Sequence, residues 1–398
     1  MTTSPADGPL AGLRVLELAT LNAGPTLGAM LGDLGADVVK VEPRGGEDFR
    51  VLGAASGGPP RPSSWTVVGR NKRMVTLDHD QPEGRDILGR LTAVADVVVL
   101  NQPRRVLERM DCTFEAISAR NERAVVVQVS GWGVTGPYAD RSGNGTLGEA
   151  FAGLTDQGRQ IDGVPRLSGV LMGDHLTALA GVIGTLAACY WRDARGGRGQ
   201  LVDVALYEAV LSVLAPQIVA WDPDRAPSAG PARRAGPGIR DTFATTDGRW
   251  VAVTAYSNSQ ITRLLRAVGV EVPEPGTAKA REGRSPDLGA LVGEWIAGHD
   301  SPTVLDAFHQ ARIGIAPVND IADVVADEHA RARQAVLEVD DPELGPVRLP
   351  HPTPRLSATP GKVRWTARAL GADNDSVYPD WLSLDAADLA RLRQAGVI

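Results

Sequence analysis

Asp174 stands in the run Gly169-Val-Leu-Met-Gly-Asp-His175, directly after a glycine and at the head of a long apolar stretch rich in small residues. A carboxylate at a helix N-terminus with no side chain before it can be approached by a bulky acyl group and can act as a nucleophile. The same position also suits a helix cap, which accepts backbone N–H bonds and contributes about 0.5–2 kcal/mol. The two roles are compatible, because the dipole that favours a capping carboxylate also favours the ionised form a nucleophile needs. His175 follows directly, but sequence neighbours on a helix do not face each other. A catalytic Asp–His pair is therefore disfavoured, and His175 reads as a packing or hydrogen-bonding residue.

Other chemistries find less support. The six histidines show no metal-ligand spacing, and the two cysteines, Cys112 and Cys189, form neither a metal pair nor a disulfide framework. No metal site is expected. Val129-Ser-Gly-Trp132 is not a nucleophile elbow. The pairs Gly45-Gly46 and Gly57-Gly58 lack the lysine and hydroxyl of a phosphate loop, and no Gly-x-Gly-x-x-Gly turn follows the first predicted strand. A net charge of −7 over 398 residues argues against a nucleic-acid partner. The N-terminus has no signal pattern, and no unbroken apolar run is long enough to span a bilayer, so no membrane association and a cytoplasmic address are expected. Two basic groups remain: Arg70-Asn-Lys-Arg73, and Arg104, Arg105 and Arg109. Each alone reads as solvated surface. Together they lie near predicted strand ends of one sheet, where open α/β sheets bind ligands, and they suit a ligand with several phosphates.

These residues need a scaffold. Gly12–Leu18 reads as a buried strand, Asn22–Pro25 as a turn, Thr26–Leu34 as a short helix and Val38–Glu42 as the next strand. The alternation continues with strands at Met74–Leu77, Val97–Leu100 and Ala124–Val129 and a helix from Pro82 to Ala93. Continuous apolar strands are typical of parallel sheets covered on both faces, so a doubly wound, Rossmann-like α/β domain follows. An apolar helix is expected from His175 to Trp191, then a strand at Leu201–Leu206. Residues 222–240, rich in proline, glycine and arginine, read as a linker. Asp247-Gly248 signals a hairpin that opens a smaller α+β domain. The expected division is a large domain over 1–221, the linker over 222–240, the small domain over 241–325 and a return segment over 326–398. Irregular β structure is expected from Leu337, and a last helix at Ala386–Ala395 with Asp385 as its cap.

A series of ordered blocks adds a further reading. They are Leu10-Ala-Gly-Leu-Arg-Val-Leu-Glu-Leu18, Ala23-Gly-Pro25, Leu34-Gly-Ala-Asp-Val-Val-Lys-Val-Glu-Pro43, Asn71-Lys-Arg73, Gly131-Trp-Gly-Val-Thr-Gly-Pro137, Gly173-Asp174 and Gly197-Arg-Gly-Gln200. In this order they resemble the class III CoA-transferase family, which also holds the α-methylacyl-CoA racemases. The resemblance implies an interlocked homodimer whose large domain is built from both ends of the chain. It implies coenzyme A or acyl-CoA as substrate, a carboxylic acid as second substrate and no tightly bound cofactor. By position, Asp174 matches the family's nucleophile. Asn22, Ala23, Asn71, Lys72, Asn101, Arg109 and Met110 fall on positions that line the CoA site in relatives, and Arg44 falls near a phosphate-contacting arginine. Three blocks depart from the family pattern. Relatives usually have Asn-Phe-x-Pro-Gly where this chain has Asn101-Gln-Pro-Arg-Arg105. Racemases carry His-Asp where Asn144-Gly145 stands, and Tyr256–Gln260 replaces a glycine-rich loop of some transferases.

The reading that follows is CoA transfer through an aspartyl mixed anhydride and an aspartyl-CoA thioester. Backbone N–H groups near Gly173 or the 131–136 glycines are candidate oxyanion donors. Two alternatives stay open: an acyl-CoA racemase, which needs a second acid–base group that Asn144 cannot supply, and a non-catalytic acyl-CoA-binding dimer.

Overall fold

The computed structural model describes residues 8–52, 61–158, 163–223, 238–270 and 288–398. They fall into two compact units, one of residues 1–227 with 334–398 and one of residues 228–333. The linker expected at 222–240 lies mostly outside the described residues.

The larger unit is an α/β fold. Its strands are β1 (Arg14–Glu17), β2 (Asp37–Glu42), β3 (Lys72–Thr76), β4 (Val97–Leu100), β5 (Val125–Ser130) and β6 (Leu201–Ala205). They pair in parallel in the order β3-β2-β1-β4-β5-β6. The helices between them are α1 (Ala23–Asp33), α2 (Ser63–Val68), α3 (Pro82–Val94), α4 (Arg104–Arg109), α5 (Phe114–Arg120), α6 (Gly145–Ala152), α7 (Leu154–Gln157) and α8 (Met172–Ala194). After β6 come α9 (Leu206–Val213) and α10 (Ala215–Val219).

Successive strand residues feed opposite faces, as the period of two requires. Val15, Val38, Val97, Val99, Val125 and Val127 pack under α1 and α8. Leu16, Val39, Val98, Leu100 and Val126 pack on the other side with Ile87, Leu88 and Leu91 of α3. Full burial of such a side chain contributes about 1.5–3 kcal/mol relative to exposure. The helix α1 starts at Ala23, earlier than the Thr26 start expected from periodicity. Pro25 is tolerated because the first helical turn has no acceptor for its missing N–H. The helix α8 is long and apolar enough, by length and composition, to cross a bilayer. Here it packs on the sheet through Ala178, Gly181, Thr185 and Ala188.

The smaller unit holds β7 (Ile239–Ala244), β8 (Trp250–Ala255) and β9 (Gly314–Pro317) in one antiparallel sheet. The β7–β8 hairpin turns at Asp247-Gly248, where Gly248 takes a left-handed φ of 76°. Beside it lie α11 (Asn258–Ala267), α12 (Leu288–Ala297) and α13 (Ser301–Gln310), followed by the short α14 (Ile321–Ala326) and α15 (Glu328–Ala332).

The return segment adds the hairpin β10 (Val336–Asp341) and β11 (Gly345–Pro350), then α16 (Asn374–Leu382) and α17 (Ala386–Gln394). It covers the open edge of β3. Asn71 N–H donates to Trp365 O at 3.1 Å, Met74 N–H to Asp373 Oδ2 at 2.8 Å and Thr76 N–H to Asn374 Oδ1 at 3.0 Å. Side chains and loop backbone thus satisfy an edge that would otherwise invite pairing with another chain.

Beneath α1 lies a buried charge cluster. Glu17 Oε2 is 2.7 Å from Lys72 Nζ, and Glu17 Oε1 is 3.3 Å from Lys40 Nζ. Lys72 also donates to Pro25 O and Lys40 to Ala19 O, so both lysines grip the start of α1 and the loop before it. Gly28 is required here, because a Cβ would run into the Glu17 carboxylate. Burial pulls Lys40 down, but Glu17, Glu47 and Glu42 more than offset it and hold its ammonium above the usual range. Burial also pulls Lys72 down, and Glu17 offsets this only in part, leaving it at about 8. Replacing Glu17 by Gln is expected to lower stability by about 3–5 kcal/mol, because it strands buried positive charge. The urea unfolding midpoint measures this.

Candidate active site

Parallel strands point their C-terminal ends toward the start of each following helix. The strand order reverses between β1 and β4, and ligands of such sheets bind in the crevice outside that point. The loop after β1 meets the loop after β4 there. Asn101 Oδ1 accepts the Thr20 N–H at 2.9 Å, and Asn101 Nδ2 donates to Thr20 O at 2.8 Å. Gln102 Nε2 donates to Leu18 O. The amide pair clamps the loop that leads into α1.

Asp174 is half-buried in the first turn of α8. It is not the cap of that helix: Leu171 holds the N-cap position and makes no side-chain bond. Three helices begin at its carboxylate. Its own helix α8 is one. The second is α1, whose Ala23 N–H is directed at the carboxylate and lowers its pKa. The third is α6, whose first residue Gly145 packs so closely that a Cβ would fall inside the shell of Asp174 Oδ2. Gly145 and Gly173 also touch through their backbones, so neither position has room for a side chain. Burial raises the Asp174 carboxyl above its ordinary 3.8, and the nearby Glu149 charge raises it further. The N–H groups of Asp174 and Ala23 act against that rise.

Asn144 caps α6 by accepting the Leu147 N–H at 3.0 Å, so its amide serves the backbone. The loop before it is pinned by aromatic packing. The Trp132 ring meets Tyr138, Phe151 and Tyr207, and its Nε1 donates to Ser142 O. Three of the candidate oxyanion donors are already used. Gly173 N–H is taken by Glu149 Oε1 at 2.9 Å, Gly133 N–H by Ser130 Oγ and Val134 N–H by Asp203 Oδ2. The donor that reaches the carboxylate from another element is Ala23.

The other residues assigned to the site from sequence divide into groups. Asn22, Ala23 and Asn101 sit together at the crevice. Asn22 Oδ1 accepts from Thr26 Oγ1 at 2.8 Å and leaves the helix N–H groups free of its side chain. Arg44 and Arg109 are exposed and flank one turn. Arg109 lies 3.8 Å from Asp80, and Arg44 lies against Gly396, whose carbonyl accepts from Gln81. Arg104 and Arg105 are exposed on α4.

Asn71, Lys72 and Met110, also expected as ligand contacts, are buried and engaged within the protein. Asn71 is fully buried and bonded to Asp33 and to the backbone of Lys362 and Arg364. Lys72 is fully buried on Glu17. Met110 is 4% exposed and belongs to the core. Arg70 is likewise buried on Asp33, so this basic run is structural rather than solvated. His175 is exposed, not packed. Among the described residues no group of His, Cys, Asp and Glu is arranged to hold a metal. Nothing in the sequence singles out Glu149; its place beside Asp174 follows only from the contact of α6 with α8.

The profile of CoA-transferase family III matches residues 10–374. The chain is 34% identical to succinyl-CoA–D-citramalate CoA-transferase of Chloroflexus aurantiacus, over all of both chains. It is 30% identical to succinate–glutarate CoA-transferase of Agrobacterium fabrum, over 89% of this chain and 94% of that one. Among solved structures, a CAIB/BAIF family protein from Brucella suis superposes with a TM-score of 0.77 at 29% identity, covering 94% of this chain and 99% of its own. The chain belongs to CoA-transferase family III.

Two measurements test the site. Gly145→Ala forces the Asp174 carboxylate aside and is expected to lower kcat about 10²-fold, read by steady-state kinetics. Asp174→Asn removes a charge that the fold holds at a cost. Because the folded carboxyl is raised, stability drops as pH climbs through its folded value, so at neutral pH the variant melts higher than the native chain.

Proposed function

We propose that the chain carries CoA from a dicarboxylic acyl-CoA, succinyl-CoA first among them, to a second carboxylic acid, with Asp174 as covalent carrier. The observation that carries this reading is the setting of Asp174: a half-buried carboxylate faced by a glycine and met by the Ala23 N–H. The names of the relatives above support the class of donor and acceptor.

The Asp174 carboxylate attacks the donor's thioester carbonyl. A C–O bond forms, the C–S bond breaks and CoA leaves as thiolate, giving an acyl-aspartyl anhydride. The thiolate then attacks Cγ of Asp174 and expels the donor acid as carboxylate, leaving an aspartyl-CoA thioester. The acceptor carboxylate attacks this thioester, expels the thiolate and forms a second anhydride. Thiolate attack on the acceptor's carbonyl releases the new acyl-CoA and restores Asp174. Each intermediate is an activated acyl group, so the reactivity of the thioester is retained as long as water is kept out.

In this reading the pantetheine arm enters by Asn22, Ala23 and Asn101, and Arg44 and Arg109 meet the phosphates. The outer face of α8 exposes Leu179, Ile183, Tyr190 and Trp191 at helical spacing, and Ile183 is 69% exposed. Such a face supports a homodimer that covers it, interlocked as the family resemblance implies. The reaction is assigned to the cytoplasm.

Incubation with succinyl-CoA and a panel of dicarboxylic acids is expected to give ping-pong exchange. Hydroxylamine is expected to trap a species on Asp174. Asp174→Ala should abolish exchange while CoA still binds; surviving turnover would exclude Asp174 as carrier. Activity should also fall with pH through a value above 3.8, as the raised Asp174 carboxyl takes up its proton.

A further inference from the structure

The mechanism above leaves one group unused. Glu149 is 3% exposed and lies on α6 one turn after Gly145, on the same face. Its Oε1 accepts the Gly173 N–H at 2.9 Å, and its Oε2 lies 2.6 Å from Ser168 Oγ. Ser168 Oγ is also 2.7 Å from Val170 O, so the strand of chain leading into α8 is tied at several points. The N-cap residue Leu171 offers no acceptor, and Glu149 does the capping from a different helix. Burying a second carboxyl group beside a reactive one is costly, and a neutral acceptor such as glutamine would cap Gly173 as well.

We infer that Glu149 is a positioning residue for the transfer reaction: it fixes the first turn of α8 from outside that helix and holds a second carboxyl group beside the reacting one. The inference rests on Asp174 as the covalent carrier. Gly173 and Asp174 are adjacent, so the bond that holds the first also sets where the second points. The negative neighbour makes Asp174 more basic and a stronger nucleophile toward a thioester carbonyl.

The other titratable groups near this end of the packed helices do not take that part. Asp156 lies on α7, His175 on α8 is exposed, and Tyr207 and Glu208 on α9 bond each other. Asp203 of β6 accepts from Val134. The charge acting on Asp174 is that of Glu149.

Glu149→Gln keeps the length and an acceptor for Gly173 but removes the charge. It is expected to melt close to the native chain, to move the acid limb of kcat/KM to lower pH and to lower kcat about tenfold, with KM for succinyl-CoA within about twofold. Glu149→Ala, which also removes the acceptor, is expected to lose about 10²-fold in kcat, with Gln restoring part of it. A Glu149→Gln enzyme with native kcat and an unmoved acid limb overturns the inference, whether or not the alanine variant folds. The reading of Asp174 fails by a different result, turnover in Asp174→Ala. A dead Asp174→Ala together with an unaltered Glu149→Gln therefore sinks the role of Glu149 alone.

Discussion

A half-buried carboxylate met by backbone rather than by a cation is the constraint around which this site is organised. Removing Asp174 from water disfavours its charge, and Glu149 beside it adds to the cost. The compensation is backbone, not cation: among the described residues no Lys or Arg pairs with it, and N–H groups at helix starts take that part. Such donors are fixed by the fold, so they cost little reorganisation when charge moves during reaction. An arginine in the same place would neutralise the carboxylate more strongly.

That arrangement makes distant parts of the chain responsible for the site. Ala23 lies where it does because Lys72 and Lys40 hold the backbone at Pro25 and Ala19, and because Asn101 holds Thr20. Gly145 lies where it does because the Trp132 aromatic group anchors the loop before it. The buried Glu17 cluster is therefore part of what positions the first turn of α1. Its three carboxylates and two lysines also explain why Lys72, which looks like a ligand contact in the sequence, is consumed internally.

The sheet was legible because its strands are continuous apolar runs, and Val97–Leu100 and Val125–Ser130 can scarcely be anything else. Helix ends were less so. Pro25 concealed the true start of α1, since proline reads as a turn residue but is allowed in a first turn. Pro379 hid α16, a helix with proline inside it whose Tyr378 hydroxyl donates to Thr76 O. Asp174 stood out by its place after a glycine. Its neighbours did not, because Ala23, Gly145 and Glu149 meet it only through packing between helices far apart in sequence. Asn71 and Lys72 show the reverse: a polar or basic run beside a strand carries no mark of whether its partner is solvent or a buried acid.

The covering of β3 has a consequence for how the molecule is made. Asn71 bonds the carbonyl of Lys362, 291 positions later, and Gln81 bonds that of Gly396, 315 positions later. A ribosome finishes the first three strands long before it delivers their cover. For that interval the nascent sheet has an unpaired, sticky margin, a hazard for self-association. Pairings of such long sequence separation favour slow folding. Until the last helices arrive, that margin stays open to solvent.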